Sequence, residues 1–235
     1  MRVAFLIAGN FVRENRWPVI ILLVWGLASG VAGVVLAGRP DDDALFFLKQ
    51  QAMYSVFFTV FLAASSLHNQ RRNRKILAVL SKGIERYEYL AGIVLGYSGV
   101  ALLYAFCLGI TGALTFHRAG ASVWLVLPLM IMLLIASVLA GTVALFFSTF
   151  MPPLFALAAT SVVLGTSAVL SGVLGKNISA LVPFYQLLAC VSEFSFGAGN
   201  TAPWAAGFWA VLETIAFWIA GSWIFERKDV AVAVE

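Results

Sequence analysis

Charged side chains are scarce in this chain of 235 residues, at 11% of the sequence, whereas soluble domains have about 25%. Apolar residues make up 62%, and the mean hydropathy is +0.96. Uncharged stretches recur along the whole chain, and a domain of this size has too little interior to shield all of them from water. The composition therefore excludes a soluble protein and predicts an integral membrane protein.

Residues that carry chemistry are also few. Cys107 and Cys190 are the 2 cysteines, and their separation matches no metal or redox motif, so we interpret both as packing residues. His68 and His117 lie at opposite ends of uncharged stretches, which excludes a metal or haem site that uses both. HExxH, Walker and GxSxG patterns are absent from the sequence. We therefore expect no enzymatic activity, catalytic residue, metal or bound cofactor in this chain.

The intervals between charges define the candidate membrane spans. A hydrocarbon core about 30 Å thick requires about 20 apolar residues in a helix. The uncharged interval 119–175 is too long for one helix, and Pro152 and Pro153 divide it because proline ends a helix. Six spans are predicted, at about 17–38, 44–68, 89–117, 123–149, 152–174 and 204–225. The predicted fold class is an all-α membrane protein with a single transmembrane domain over 1–235.

Two shorter segments do not qualify as spans. Residues 1–16 have one apolar helical face opposite the basic residues, which predicts an N-terminal interfacial helix; an extension of the first span is the alternative. Residues 177–200 begin with an apolar stretch that Pro183 interrupts and that is too short to cross the bilayer. We predict a re-entrant or interfacial segment there, before the sixth span.

The basic residues predict the orientation. Most of the 15 lysines and arginines lie before span one, between spans two and three, or after span six. Arg39, Arg118 and Lys176 fall on the other side of the predicted spans. Since loops rich in lysine and arginine stay in the cytoplasm, both termini are predicted to be cytoplasmic. The excess of basic residues behind the net charge of +4 is thus explained by membrane orientation and does not indicate nucleic-acid binding.

The loop at 69–88 is the only substantial polar segment of the sequence. It mixes basic residues with apolar ones such as Ile76, Ile84 and Tyr87. Apolar groups among charges are typical of a short helix that docks on another protein. A basic anchor that rests on anionic lipid headgroups has the same composition. The residue chemistry alone favours neither interpretation.

The run from Leu80 to Gly92 resembles the segment after the second span of ABC-2 type transporter permeases, typically LLS-x-P-[IV]-S-R-x-E-[FY]-L-L-G-K. Gly83, Glu85 and Ile93 depart from that pattern. The six spans, the N-terminal interfacial helix and the segment before the last span also resemble that family over nearly the whole chain. The matching positions are Leu80, Ser81, Ile84, Arg86, Glu88, Tyr89, Leu90 and Gly92.

The resemblance implies a permease subunit without chemistry of its own, in a bacterial cytoplasmic membrane. Two permease copies, identical or related, would form a pathway for export among the membrane lipids. A separate ATP-binding subunit, which carries ATP and Mg²⁺, would dock on a coupling helix in loop 69–88. An ion-coupled secondary transporter and a non-transporting membrane scaffold are the alternative functions. The residues expected to couple to the ATPase are Ser81, Lys82, Gly83, Ile84, Glu85, Arg86 and Glu88.

Two charged residues lie inside predicted spans. Glu213 lies deep in the sixth span, where a charge costs several kcal/mol unless it is paired or hydrated. One interpretation is a pathway residue or a proton-linked switch. The other is a structural role, either as a partner of Lys49 or as a neutral hydrogen-bonded acid.

Two glycine pairs have the four-residue spacing that lets helices approach closely. Gly26 and Gly30 lie in the first span, and Gly92 and Gly96 lie in the third. Packing within the chain is the default interpretation. Contact between two copies is the alternative.

Overall fold

The structure is a computed structural model that describes residues 2–36, 43–72, 76, 81, 84–118, 122–173, 183–193 and 202–227. Within these ranges the chain is all-helical and has no strand. The eight α-helices are α1 (Arg2–Glu14), α2 (Arg16–Leu36), α3 (Asp43–Arg72), α4 (Arg86–Arg118), α5 (Val126–Ser148), α6 (Pro153–Val173), α7 (Pro183–Glu193) and α8 (Trp204–Arg227). A short 3₁₀ turn, Val123–Leu125, precedes α5.

Six of these helices are long and apolar enough to cross a membrane, and each overlaps one predicted span. They are α2 to α6 and α8. The predicted division of the long uncharged interval is confirmed, since α5 ends at Ser148 and α6 begins at Pro153. Proline lacks the backbone N–H that a helix interior needs, but it is tolerated in a first turn. The described chain is thus an all-helical integral membrane protein.

Two helices extend beyond their predicted bounds. α3 has 30 residues and α4 has 33, which corresponds to about 45 and 50 Å. α3 continues to Arg72 and α4 already begins at Arg86, so both ends of loop 69–88 are helical. Neither end contains the glycine or proline that would stop a helix. Positions 73–75, 77–80 and 82–83, and with them most of the predicted coupling helix, lie outside the described residues.

The centre of the bundle is formed by α3, α4 and α5, which pack against one another. Large side chains at their contacts are fully buried, among them Leu67, Tyr97 and Met132. α2, α6 and α8 lie around this centre and expose apolar side chains such as Val24 and Phe155. An apolar outer surface is what lipid contact requires.

α1 is a separate helix, because a turn at Asn15 divides it from α2. It packs on α4, with Ile7 against Gly92 and Phe11 against Gly96. A Cβ atom at Gly92 would lie 2.6 Å from Cβ of Ile7, and one at Gly96 would lie 2.7 Å from Cδ1 of Phe11. Both distances are too short for real carbon atoms, so only glycine allows this approach. The pair in α4 therefore serves packing within the chain.

Gly30 of α2 has the same role, whereas a Cβ atom at Gly26 would make only an ordinary van der Waals contact. A Cβ atom at Gly30 would lie 2.6 Å from Cβ of Thr111 on α4 and 3.2 Å from Oε1 of Gln51 on α3. One at Gly26 would lie 3.6 Å from Nε2 of Gln51. The spacing predicted close helix approach, and the approach is between α2 and the α3–α4 pair.

α7 is the described part of the predicted re-entrant segment. Its 11 residues correspond to about 16 Å, too little to cross a bilayer. Pro183 occupies its first position, and Leu187 and Cys190 are buried where α7 packs against α5, α6 and α8. Burial raises the pKa of the Cys190 thiol to about 11, as expected for an unreactive packing residue. Positions 177–182 and 194–200 lie outside the described residues.

Candidate functional site

Four helices meet at the end of the bundle that carries the ends of loop 69–88. α3 and α8 end there, α4 begins there, and the chain leaves α5 there. Their contact is formed by a set of side chains that we call the arginine cluster: Gln70, Arg71, Arg86, Tyr89 and Phe225. This cluster is the candidate functional site, because it contains residues of the segment that resembles a coupling region.

Arg86, in the first turn of α4, binds the end of α8. One guanidinium nitrogen, Nη1, donates to the carbonyl oxygens of Phe225 at 2.8 Å and Glu226 at 2.9 Å. The last carbonyls of a helix have no partner within the helix and carry partial negative charge, so a cation there satisfies and stabilises them. A charge-assisted interaction of this kind, here shared by one nitrogen between two carbonyls, contributes about 1.5–3 kcal/mol. The start of α4 is therefore attached to the end of α8.

Arg71, near the end of α3, extends the cluster to α5. Its Nη2 donates to the carbonyl of Thr149 at 3.1 Å, one residue after α5 ends. The Cζ atoms of Arg71 and Arg86 each lie 5.8 Å from the centre of the Phe225 ring. That ring is fully buried, so two cations contact one aromatic side chain from different helices.

Tyr89 completes the cluster from the second turn of α4. Its ring stacks on Phe225, with centres 6.4 Å apart and planes inclined by 17°. Its hydroxyl donates to Oε1 of Gln70 on α3. Stacked aromatic pairs add about 0.5–1.5 kcal/mol to the effect of burial. A displacement at the start of α4 would therefore also move the ends of α3, α5 and α8.

The residues predicted to couple to an ATPase fall into two groups. Ser81 and Glu85 are exposed, and Ile84 and Glu88 are half-buried. Arg86 points into the chain and binds α8, as described above. The remaining two, at 82 and 83, lie outside the described residues. The described part of the segment thus has an exposed side and a side that is attached to the bundle.

Glu213 and Lys49 lie on different helices. Lys49 lies on α3 and Glu213 on α8, and these two helices meet at the arginine cluster, where Arg71 contacts the Phe225 ring. Both side chains are half-buried. The interpretations of Glu213 as a pathway residue or proton-linked switch, as a structural partner of Lys49 and as a neutral hydrogen-bonded acid stay predictions.

Polar pairs within the bundle were missed by the sequence reasoning. Tyr97 on α4 donates to Oγ1 of Thr142 on α5 at 2.6 Å, since the Thr142 hydroxyl itself donates to the carbonyl of Val138. Thr111 on α4 donates to Oε1 of Gln51 on α3 at 2.9 Å. Polar side chains in a membrane-spanning helix normally find such partners. Gln51, a buried amide in an apolar span, was the signal that could have pointed to them.

Comparison with protein-family models finds no family that matches this chain, and comparison with curated proteins finds no matching relative. Within the described residues, no group of three or more His, Cys, Asp or Glu side chains could hold a metal ion. The site is therefore interpreted from its own geometry and from the resemblance in Leu80 to Gly92.

Proposed function

We propose that this chain is the membrane-spanning permease subunit of an ABC-2 type transporter and couples to a separate ATP-binding subunit. The order of its helices supports the proposal: a short amphipathic helix, six long apolar helices, and another short helix before the last long one. The residues that match the family pattern in the third long helix also have defined contacts, with Arg86 and Tyr89 in the arginine cluster and Gly92 against α1.

The attachment of Arg86 to the end of α8 is the observation that carries the proposal. A partner that binds the exposed side of 81–88 differently in its two states would shift the bundle between two arrangements. Because the arginine cluster connects α3, α4, α5 and α8, the displacement would reach most of the bundle. ATP-driven closure of the partner would supply that difference in contacts.

The proposed roles follow the two sides of this segment. Ser81 and Glu85, which are exposed, contact the ATPase together with Lys82, Gly83, Ile84 and Glu88. Arg86 is a positioning residue that transmits the displacement to α8 and does not touch the partner. In the same proposal α1 lies at the membrane interface, α7 is part of a re-entrant segment and both termini are cytoplasmic. ATP and Mg²⁺ belong to the partner, a second permease copy completes the pathway, and transport is export.

The first experiment is to purify the tagged chain from its native membrane in mild detergent and to identify by mass spectrometry the proteins that copurify in stoichiometric amounts. We expect an ATP-binding subunit. The variants Ser81→Arg and Glu85→Arg place a new cation on the exposed side and should release this subunit without unfolding the chain. Ser122→Arg is the matched control, since Ser122 is an exposed serine at the opposite end of α4.

A chain that purifies alone in several mild detergents would contradict the proposal. Uptake driven by an ion gradient without ATP would then identify a secondary transporter. Loss of localisation alone, with no substrate moved, would identify a membrane scaffold. Release of the ATPase by Ser122→Arg as well as by Ser81→Arg would show that the docking surface is not the segment 81–88.

A further inference from the structure

A small cavity lies between α2, α3 and α4, away from the arginine cluster. Leu22, Trp25 and Gly26 line it from α2. Gln51, Tyr54 and Ser55 line it from α3, and Tyr104 and Cys107 from α4. It exists because Gly26 has no side chain to fill the space beside the Gln51 amide.

Two polar atoms in this cavity have no hydrogen-bond partner among the described residues: Nε2 of Gln51 and the hydroxyl of Tyr104. Both residues are only 5% exposed. The other end of the Gln51 amide accepts from Thr111. If the amide is turned over, Nε2 can donate to Thr111 and Oε1 faces the cavity instead, so either orientation leaves one polar atom there. A buried polar group without a partner is costly, and more so in a membrane-spanning bundle.

The size of the cavity decides what can bind. The cavity has a volume of about 10 Å³, counted as the space in which the centre of a water molecule can lie. A cavity of this volume holds about one water. A bound water needs at least two polar partners, and the Gln51 amide and the Tyr104 hydroxyl supply them. The Ser55 hydroxyl donates to the carbonyl of Ala52 and keeps its oxygen available as a third.

We propose that a single water molecule binds between α2, α3 and α4 and bridges Gln51 to Tyr104 inside the membrane-spanning bundle. It satisfies both polar side chains and adds a water-mediated connection between α3 and α4 to the direct hydrogen bond from Thr111 to Gln51. Trp25 and Tyr54, the two exposed lining residues, pack edge to face with ring centres 4.9 Å apart and separate the water from lipid. The site does not depend on the proposed function.

The sign of a stability change tests whether the site is hydrated. Tyr104→Phe removes only the hydroxyl. If a water binds there, the variant loses a hydrogen bond and the Tm of the full chain in lipid nanodiscs should fall by about 2–4 °C. If the site is dry, the variant removes an unpartnered polar group, and a Tm that rises or stays unchanged would overturn the proposal. Tyr97→Phe is the matched control, because it loses a direct bond to Thr142 and should lower the Tm by a similar amount.

Hydroxyl-radical labelling with X-ray pulses in H₂¹⁸O provides an independent measurement. Radicals formed from a bound water oxidise the side chains beside it, even where bulk solvent does not reach. We expect ¹⁸O incorporation at Tyr104 several-fold faster than at Tyr97, which is fully buried and bonded to protein. Labelling of Tyr104 no faster than that of Tyr97 would overturn the proposal.

Discussion

The inner helices α3, α4 and α5 and the outer helices α2, α6 and α8 are held in different ways. In their most apolar windows 50, 56 and 44% of the inner residues are buried, against 22, 17 and 22% of the outer ones. Inner helices are packed along their length. Single contacts fix the outer helices α2 and α8 at particular points: Gly30 sets the close approach of α2, and Arg86 holds the end of α8. Stability should therefore be most sensitive to those few contacts, and less so to any one hydrogen bond in the centre.

Gly30→Leu should have the largest effect on stability. Its side chain would overlap Thr111 and Gln51, and α2 would have to move away from the α3–α4 pair. Overpacking of this kind costs about 1–3 kcal/mol, and we expect the upper end because both neighbours are held by a hydrogen bond to each other. Thermal denaturation of the purified chain measures the loss.

The control for this variant is Gly165→Leu, since a Cβ atom at Gly165 on α6 would meet nothing within 4 Å. We expect it to change the free energy of unfolding by less than about 0.5 kcal/mol. Equal losses in the two variants would show that the loss does not come from close approach at Gly30.

Arg86→Ala should have the next largest effect, about 2 kcal/mol, because the carbonyls of Phe225 and Glu226 lose a charged donor. Arg86→Lys keeps the charge but lacks the planar group that contacts both carbonyls and the ring, so it should recover only part of the loss. Arg13→Ala, at an exposed arginine of α1, is the control and should be nearly neutral.

The same variants separate stability from coupling if the ATPase partner is present. We expect Arg86→Lys to bind the partner normally and to show reduced stimulation of ATP hydrolysis. Unchanged stimulation in both Arg86 variants would contradict transmission through the arginine cluster.

Tyr97→Phe should cost about 1 kcal/mol, the typical net contribution of one hydrogen bond. The hydroxyl lies between inner helices and donates to Thr142, whose own proton is already used by Val138. Denaturation of Tyr97→Phe, Thr142→Val and the double variant would measure the pair. Additive losses would show that this bond contributes little to the contact between α4 and α5.

The six long helices could be predicted because hydropathy is a local property. The intervals between charges located each of them, and Pro152 and Pro153 located the division between α5 and α6. The helical ends of loop 69–88 were missed for a related reason. Residues 69 to 72 are polar, so hydropathy places them in a loop. They include no glycine or proline, however, and the helix continues through them.

The contacts of the candidate site could be predicted only in part. The resemblance of the segment to the family pattern identified Arg86 as a candidate coupling residue. It did not identify the partners of Arg86, which are carbonyls 139 and 140 residues later in the chain. Pairing between distant residues depends on which helices are neighbours, and composition does not encode that. The pair of Gln51 and Thr111 was missed in the same way, since an amide in an apolar span indicates that a partner exists but not which helix supplies it.

Glu213→Gln should have the smallest effect on stability and sharpens the description of the outer helices. The side chain is half-buried and a neutral amide of the same shape keeps its packing, so the free energy of unfolding should change by less than about 0.5 kcal/mol unless Glu213 pairs with Lys49. Thermal denaturation measures the change in stability, and a transport assay in proteoliposomes measures function. Gly165→Leu on α6 is a second outer-helix variant for comparison. Full transport with retained folding would remove Glu213 from the mechanism. Lost transport at unchanged Tm would make it a pathway residue, and α8 would then be an outer helix with one functional face.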